Sequence, residues 1–363
     1  MSDISKTKIQ KTLSGEVVTP PPVWFLRQAG RYLPEYRAVR KSCGGFLDLC
    51  LNPELSCEVT MQPIRRFDFD AAILFSDILI IPHVLGQKLW FAEGEGPQLT
   101  PIQTEEEFER TLSLGSIDEK MAPVIETVRL IRRELPRDKS LIGFAGSPWT
   151  VATYMIAGRG KDDQRYAKAM LRDQPALFDR LMELLVEATV AYMSRQIDAG
   201  VDVVMLFDSW AAALSGDGPA FARYCYGLNR RIAETLVERH PAVKTIYFPR
   251  GATLAQLAEI IVDRAFHCVA LGEDVDAADL AERVADAGGD RQACLQGNLD
   301  PAALSDPEAD MAALVRDNLA RFAGRPHIFN LGHGITPTGI IGHVETALAT
   351  VRSAQATAAP QVV

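Results

Sequence analysis

The sequence predicts an α/β fold, a single-domain (β/α)8 barrel of the TIM type. Three observations carry that prediction. Eight short apolar runs recur along the chain, each ending in a polar or glycine-rich cluster: 23–27, 71–77, 141–147, 201–208, 245–250, 268–273, 293–298 and 327–333. They are almost continuously apolar rather than alternating, which suits strands covered on both faces of a parallel sheet. Most of the gaps hold a segment of helical period, the signature of βαβ units. No linker or charge block divides the 363 residues, and the eight strand units are the only internal repeat. The length fits a (β/α)8 barrel, typically about 250 residues with insertions beyond 400. A doubly wound open sheet is the alternative, disfavoured because no GxGxxG follows a first strand.

The elements follow in order. Residues 1–11 are polar and, with 353–363, are expected to be flexible termini around a domain spanning 12–352. After the second apolar run, residues 86–97 (GQKLWFAEGEGP) look like a β-hairpin inserted at the carboxyl end of the barrel, placed to cover a site there. The clearest helices are expected over 177–199, where Phe178, Leu181, Leu185 and Ala188 share a face, and over 221–238. Shorter ones are expected over 253–263, over 276–287 with Asp276 as N-cap, and over 310–322.

Bulk properties exclude several classes. Hydrophobic residues make up 47% of the chain, enough for a large core, and the net charge is -9. An acidic chain lacks the basic footprint of a general nucleic-acid binder. No apolar signal segment opens the chain, and no run is long enough to span a bilayer. The six cysteines (Cys43, Cys50, Cys57, Cys225, Cys268, Cys294) include no CxxC pair. They read as free thiols in a reducing, cytoplasmic compartment. Cys43, Cys50 and Cys57 recur every seven residues, a helical-face spacing.

In such a barrel the chemistry sits at the carboxyl ends of the strands. The first end is unusual: Arg27, Arg31, Arg37 and Arg40 fall within fourteen residues of an acidic protein. Arg27 and Arg31 would share one face of a helical turn. Gly30 between them permits a close backbone approach or a positive φ. Guanidinium forks match carboxylates and phosphates, so the cluster points to a small polyanion. The other ends carry Ser76 and Asp77, Ser147 and Pro148, Asp208 and Ser209, Arg250, Glu273 and Asp274, Asn298 and Asp300, and His333 between Gly332 and Gly334. Asp77 is followed by apolar residues, so partial burial is expected, and such a carboxylate needs partners. An N-cap or a structural ion pair would equally explain it. His333 is expected to be accessible between its glycines. No G-x-S-x-G elbow surrounds Ser209, so hydrogen bonding is a better role for it than nucleophilic attack. Tyr154 would lie on the helix after the third strand, where plain packing at the rim is the competing role. No lysine closes a strand, which argues against Schiff-base chemistry. Asp208, Glu273 and Asp300 could form a Mg²⁺ cluster, but their spacing favours ordinary capping.

Residues 27–37 (RQAGRYLPEYR) resemble the N-terminal signature of the uroporphyrinogen decarboxylase family. Similar family motifs follow in order at 75–79 (FSDIL), 143–150 (GFAGSPWT), 207–209 (FDS) and 330–334 (NLGHG), so the resemblance runs from about residue 12 to 352. It implies a distorted (β/α)8 barrel, a cytoplasmic homodimer, and no metal or organic cofactor. It also implies a reaction that converts the four acetate side chains of uroporphyrinogen III to methyls, giving coproporphyrinogen III and four CO₂. By motif, Asp77, Arg27 and Tyr154 correspond to catalytic positions. Arg27, Gln28, Ala29, Gly30, Arg31, Arg37, Arg40, Phe75, Ser76, Asp77, Tyr154, Phe207, Ser209 and His333 correspond to positions around the tetrapyrrole. Neither nucleic acid nor a membrane is an expected partner.

The chemistry is consistent with those residue types. Decarboxylation leaves an electron pair that needs a sink, and a pyrrole protonated on ring carbon supplies one. A fixed anion such as Asp77 would stabilise the cationic intermediate. The proton donor stays open between Arg27, a poor acid because a guanidinium holds its proton tightly, Tyr154, and a water held by Arg27. Two alternatives remain. The related corrinoid or thiol methyltransferases use a zinc held by a His-x-Cys pair, whereas His267 and Cys268 are adjacent here. A tetrapyrrole carrier would bind without releasing CO₂.

Overall fold

The computed structural model describes residues 6–92, 96–160, 164–290 and 292–355. Among these, strand β1 (Ala71–Ile73) is followed by β2 (Leu89–Ala92) and β3 (Gly96–Leu99). Then come β4 (Ser140–Gly146), β5 (Val203–Asp208), β6 (Lys244–Pro249), β7 (Cys268–Ala270), β8 (Leu295–Leu299) and β9 (His327–Leu331). Seven of them form one parallel sheet in the order β1-β4-β5-β6-β7-β8-β9. Each neighbour in the sheet is also the next sheet strand in sequence, which is the barrel progression. Every residue of β4, β8 and β9 is buried, as expected of strands covered on both faces.

The first apolar run corrects the eight-strand expectation. Residues 23–27 make a single parallel bridge, Val23 to Phe329, rather than a strand. The segment still lies between the two edges of the sheet. On the β9 side Phe329 N–H donates to Pro22 O at 2.9 Å. On the β1 side Asp70 N–H donates to Val23 O at 2.9 Å, and the Asp70 carboxylate accepts Val23 N–H at 2.8 Å. The seam is sealed by bulk: Trp24 and Phe25 are fully buried, with Phe25 packed on Phe69 and Phe329. The second run is also shorter than expected. β1 ends at Ile73, and residues 74–77 leave the sheet irregularly towards the site.

The helices match their sequence signals with small shifts. Pro175–Asp198, Leu254–Asp263 and Met311–Arg321 fall on the expected segments. Asp276 caps Ala277–Asp286 through the Ala278 and Asp279 amides. The segment expected as one helix over 221–238 opens as a π-helical stretch, Phe221–Gly227, before α-helix Leu228–Arg239. Two expectations are corrected. Part of the 1–11 segment expected to be flexible is helical: Thr7 forms a capping box with Gln10 at the head of helix Lys8–Leu13, and Ile9 is buried. The cysteine heptad is no helical face, because Cys43 caps the end of helix Pro34–Ser42, Cys50 closes the short helix Phe46–Cys50 and Cys57 lies on the next helix, Pro53–Phe67. All six thiols are free. At the other end, helix Ile341–Ser353 runs into the expected tail, most of which lies outside the described residues.

β2 and β3 pair antiparallel, Leu89 opposite Leu99 and Ala92 opposite Gly96; the turn between them lies outside the described residues. Phe91 packs on Phe46 at 4.8 Å, and Phe46 on Phe75 at 5.7 Å, which ties this pair to the carboxyl end of β1.

Candidate active site

The arginine segment is a tacked loop, not a helix, so Arg27 and Arg31 do not share a helical face. The chain reverses at Arg27, whose φ of 59° is left-handed, a conformation costing a non-glycine residue about 1–2 kcal/mol. Its neighbours hold it there. Leu26 N–H donates to Asn330 Oδ1 at 2.9 Å. The Gln28 side chain turns into the core, accepting Phe25 N–H and donating to Ala71 O. Tyr32 Oη donates back to Gln28 O at 2.8 Å. Arg37 then braces the loop, donating to Arg31 O at 2.7 Å and Tyr32 O at 3.1 Å. Gly30 has no positive φ; its role is close approach, since an added Cβ would sit 3.2 Å from Arg27 O. Ala29 and Gly30 are half-buried beside it.

This tacking leaves Arg27 and Arg31 exposed. Among the described residues, Arg27, Arg31, Arg37 and Arg40 enter no ion pair, whereas arginines elsewhere do, such as Arg66 with Glu35 at 2.6 Å. Arg40 touches only the Cys43 thiol, at 3.7 Å. Guanidinium groups outside any ion pair, in a chain of net charge -9, leave a local positive field at this end of the sheet.

Asp77 sits below them. Its Oδ1 accepts Leu79 N–H at 2.8 Å, and the turn leads into helix Ile80–Leu85. The capping role that the sequence left open is therefore present, and it uses one carboxylate oxygen. Burial pushes the Asp77 carboxyl above its ordinary value, against the Leu79 amide and the charge of Arg27. Tyr154 lies on helix Pro148–Ala157. Burial raises its hydroxyl, with the charge of Asp77 adding to the effect and that of Arg27 opposing it. Arg27, Asp77 and Tyr154 are thus within electrostatic reach of one another. Gly160 closes against the tyrosine: a Cβ there would fall 2.4 Å from the ring.

The other expected residues line the same end of the sheet. Ser76 Oγ is 3.4 Å from the hydroxyl of buried Tyr192. Phe75 packs on Tyr36 and Phe46, and Phe207 on Phe144 and Phe248, giving two half-buried aromatic walls. Ser209 follows β5 on a turn set by its neighbour: fully buried Asp208 accepts Thr150 Oγ1–H at 2.6 Å and Tyr247 Oη–H at 3.1 Å. Thr150 Oγ1 in turn accepts Trp210 N–H. Burial pushes the Asp208 carboxyl up to about 6. Asp300 caps Ala302 N–H. The Mg²⁺ cluster is therefore not assembled; among the described residues no three or more His, Cys, Asp or Glu side chains gather as a metal site.

His333 follows β9 and is partly exposed. Its Nδ1 lies 3.0 Å from Gly334 O, and its Nε2 faces Glu273 Oε1 at 3.8 Å. The flanking glycines do more than expose the imidazole. A Cβ on Gly334 would lie 2.4 Å from Arg27 Cδ, and one on Gly332 would lie 2.2 Å from Glu273 N. These glycines let Arg27, His333 and Glu273 converge. Glu273 and Arg250, 3.8 Å from each other, are additions that sequence reasoning placed at strand ends but did not carry into the site. By contrast His267, adjacent to Cys268, precedes β7 at the opposite end of the sheet and binds Thr245 through Nδ1.

Comparisons with known proteins agree with this geometry. The family described as uroporphyrinogen decarboxylase (URO-D) matches residues 5–354. The chain is 48% identical to the uroporphyrinogen decarboxylase of Jannaschia sp. (strain CCS1), covering 96% of this chain and 99% of that one. It is 48% identical to that of Ruegeria pomeroyi (95% and 98% covered) and 46% identical to that of Paracoccus denitrificans (96% and 100%). Among solved structures, a methyltransferase from Methanosarcina mazei superposes with a TM-score of 0.76 over 95% of this chain and 97% of that one. At 18% identity the likeness is one of fold.

Proposed function

The chain belongs to the uroporphyrinogen decarboxylase family and is a decarboxylase of uroporphyrinogen, and from that premise we propose that the cleft between Arg27, Asp77 and Tyr154 removes all four acetate carboxyls of uroporphyrinogen III. The products are coproporphyrinogen III and four CO₂. The observation that supports the reading most is the group of arginines outside any ion pair, one of which, Arg27, acts on the half-buried carboxylate of Asp77. A macrocycle with eight peripheral carboxylates and a centre of pyrrole N–H donors has the complementary charge pattern: anionic rim, hydrogen-bond-donating middle.

Asp77 stays ionised and accepts hydrogen bonds from the pyrrole N–H groups. Its free carboxylate oxygen and its depth suit that role. When a pyrrole takes a proton on ring carbon, the ring becomes cationic and accepts the electron pair released with CO₂. A fixed anion in a low-dielectric site stabilises that cation without reorganising. The new exocyclic carbon is then protonated to the methyl, and the ring loses its extra proton. No metal or organic cofactor enters, because the substrate supplies the electron sink. The acid is Arg27, Tyr154 or a water held by Arg27, and the charges of Arg27 and Asp77 both act on the Tyr154 hydroxyl.

Arg27, Arg31, Arg37 and Arg40 serve the peripheral carboxylates, each charge-assisted bond being worth about 1.5–3 kcal/mol. Arg37 acts largely by holding the loop that carries Arg31. Gln28 contributes through its backbone, its side chain being committed to the core. Ala29 and Gly30 keep the loop flat enough for the macrocycle. Phe75 and Phe207 pack its faces, and Ser76, Ser209 and His333 take polar edges. The paired strands β2 and β3 form a hairpin insertion at the barrel mouth. The reading carries with it a cytoplasmic homodimer; six free thiols fit a reducing compartment.

Trapping CO₂ during anaerobic turnover of uroporphyrinogen III tests the proposal. Four equivalents per substrate are expected. Binding with no CO₂ would indicate a carrier instead.

A further inference from the structure

We propose that Glu273 is a resident competitor for a carboxylate seat formed by Arg250 and His333, and so sets how tightly the enzyme holds its substrate and product. The inference rests on the tetrapyrrole reading of the cleft.

Three strand ends meet here: Arg250 after β6, Glu273 after β7 and His333 after β9. Glu273 Oε1 lies 3.8 Å from Arg250 Nη2 and 3.8 Å from His333 Nε2. Both distances exceed a hydrogen bond. Its Oε2 is buried with no hydrogen-bond partner. A carboxylate offers about four lone-pair sites, and this one fills none of them. Direct ion pairs elsewhere in the protein are shorter, Arg231 with Glu183 at 2.7 Å and Arg195 with Asp118 at 2.9 Å. An unsatisfied buried oxygen is costly, so the side chain is easily displaced by a better-placed anion.

The surroundings favour such an exchange. The Gly334 carbonyl can only accept, so His333 donates to it through Nδ1–H, and the Nε2 facing Glu273 donates to a carboxylate in the imidazolium form alone. Arg27 lies over Gly334, next to His333, while Arg250 and His333 flank one weakly held carboxylate. Glu273 is tethered at a high effective concentration and competes with every ligand carboxylate that uses Arg250 and His333. It weakens the octacarboxylic substrate modestly and speeds departure of the tetracarboxylic product.

Glu273→Gln keeps the shape and removes the charge. Anaerobic steady-state kinetics with uroporphyrinogen III, and with coproporphyrinogen III as product inhibitor, give the readout. KM and the inhibition constant are both expected to fall roughly two- to fivefold, the scale of a partly exposed ion pair, with kcat equal or lower. In an Arg250→Gln background the Glu273→Gln effect on KM should shrink towards none. Glu273→Asp, which retracts the carboxylate, should move both constants the same way and serves if the glutamine variant fails to fold. A rise in KM, or no change in either constant with the melting temperature preserved, overturns the inference while leaving the function standing. A wild-type protein that does not consume uroporphyrinogen overturns both.

Discussion

Replacing Asp77 with asparagine separates function from folding with unusual clarity. The substitution keeps size, and an amide oxygen can still accept Leu79 N–H, now 2.8 Å from Oδ1. What is lost is the charge. Removing one preorganised group that stabilises developing charge typically costs about 10²–10³ in kcat, or about 3–4 kcal/mol. Stability should move the other way. Burial raises the Asp77 carboxyl in the folded state. A raised carboxyl contributes stability below its unfolded value and loses it as pH rises through the folded value. At pH 7.5 the native carboxylate therefore costs stability, and the amide relieves that cost. The assay pairs anaerobic turnover, read as loss of carboxylates by mass, with thermal melts at the same pH. The account expects a 10²–10³-fold slower variant with an equal or higher melting temperature. Turnover within threefold of wild type, or a melting temperature that falls with the activity, would refute the electrostatic role.

Other consequences follow from the same geometry. Gly334→Ala pushes a Cβ to 2.4 Å from Arg27 Cδ, so kcat/KM should fall about tenfold or more, the cost of a misplaced site group, with little change in melting temperature. Gly332→Ala meets backbone, Glu273 N at 2.2 Å, and should destabilise by about 1–3 kcal/mol in a denaturant titration. Arg37→Ala frees the Arg31 and Tyr32 carbonyls and should raise KM about tenfold, with partial rescue by lysine in the same steady-state assay. Two buried groups give opposite pH dependences. Asp208, raised to about 6, contributes stability that is full below pH ~4 and lost as pH rises through ~6. Asp208→Asn should therefore gain on wild type by roughly 3 kcal/mol across that window. Burial lowers the His327 ring to about 4, so its contribution is full above pH ~6.5 and lost as pH falls through ~4. His327→Gln should be less stable overall but flatter over that range in melts against pH.

Some features were legible in the sequence because one physical signal dominated them. Continuous apolar runs announce strands buried on both faces, and seven of the eight runs formed strands of the sheet. The Asp276 cap was visible because its side chain serves its own neighbours. The first run failed because its partners are distant. Val23 and Leu26 satisfy their amides with Asp70 and Asn330 side chains rather than with a ladder, and no local pattern announces a seam of that kind. The arginine cluster was legible as charge, but its shape was not. A four-residue spacing suggests a helical turn, while Asn330 and the inward side chain of Gln28 impose a reversal at Arg27. The cysteine heptad misled because a spacing survives when the chain breaks between helices, here after Ser42 and again after Cys50. Asp77 was singled out by its position at a strand end, and Tyr154, on the helix after the third strand, by resemblance. Glu273 and Arg250 carried the positional signal too, but their meeting with His333 depends on Gly332 and Gly334, whose close contacts exist only in the folded chain.

The central claim is that the pyrrole itself accepts the electron pair and that one exchangeable proton completes each methyl. Anaerobic turnover of uroporphyrinogen III in D₂O, with and without EDTA, tests it most directly. The account predicts loss of four carboxyls and one deuterium in each of the four new methyls, unchanged by the chelator. Two or more deuterium atoms in a new methyl, or turnover abolished by EDTA, would contradict it.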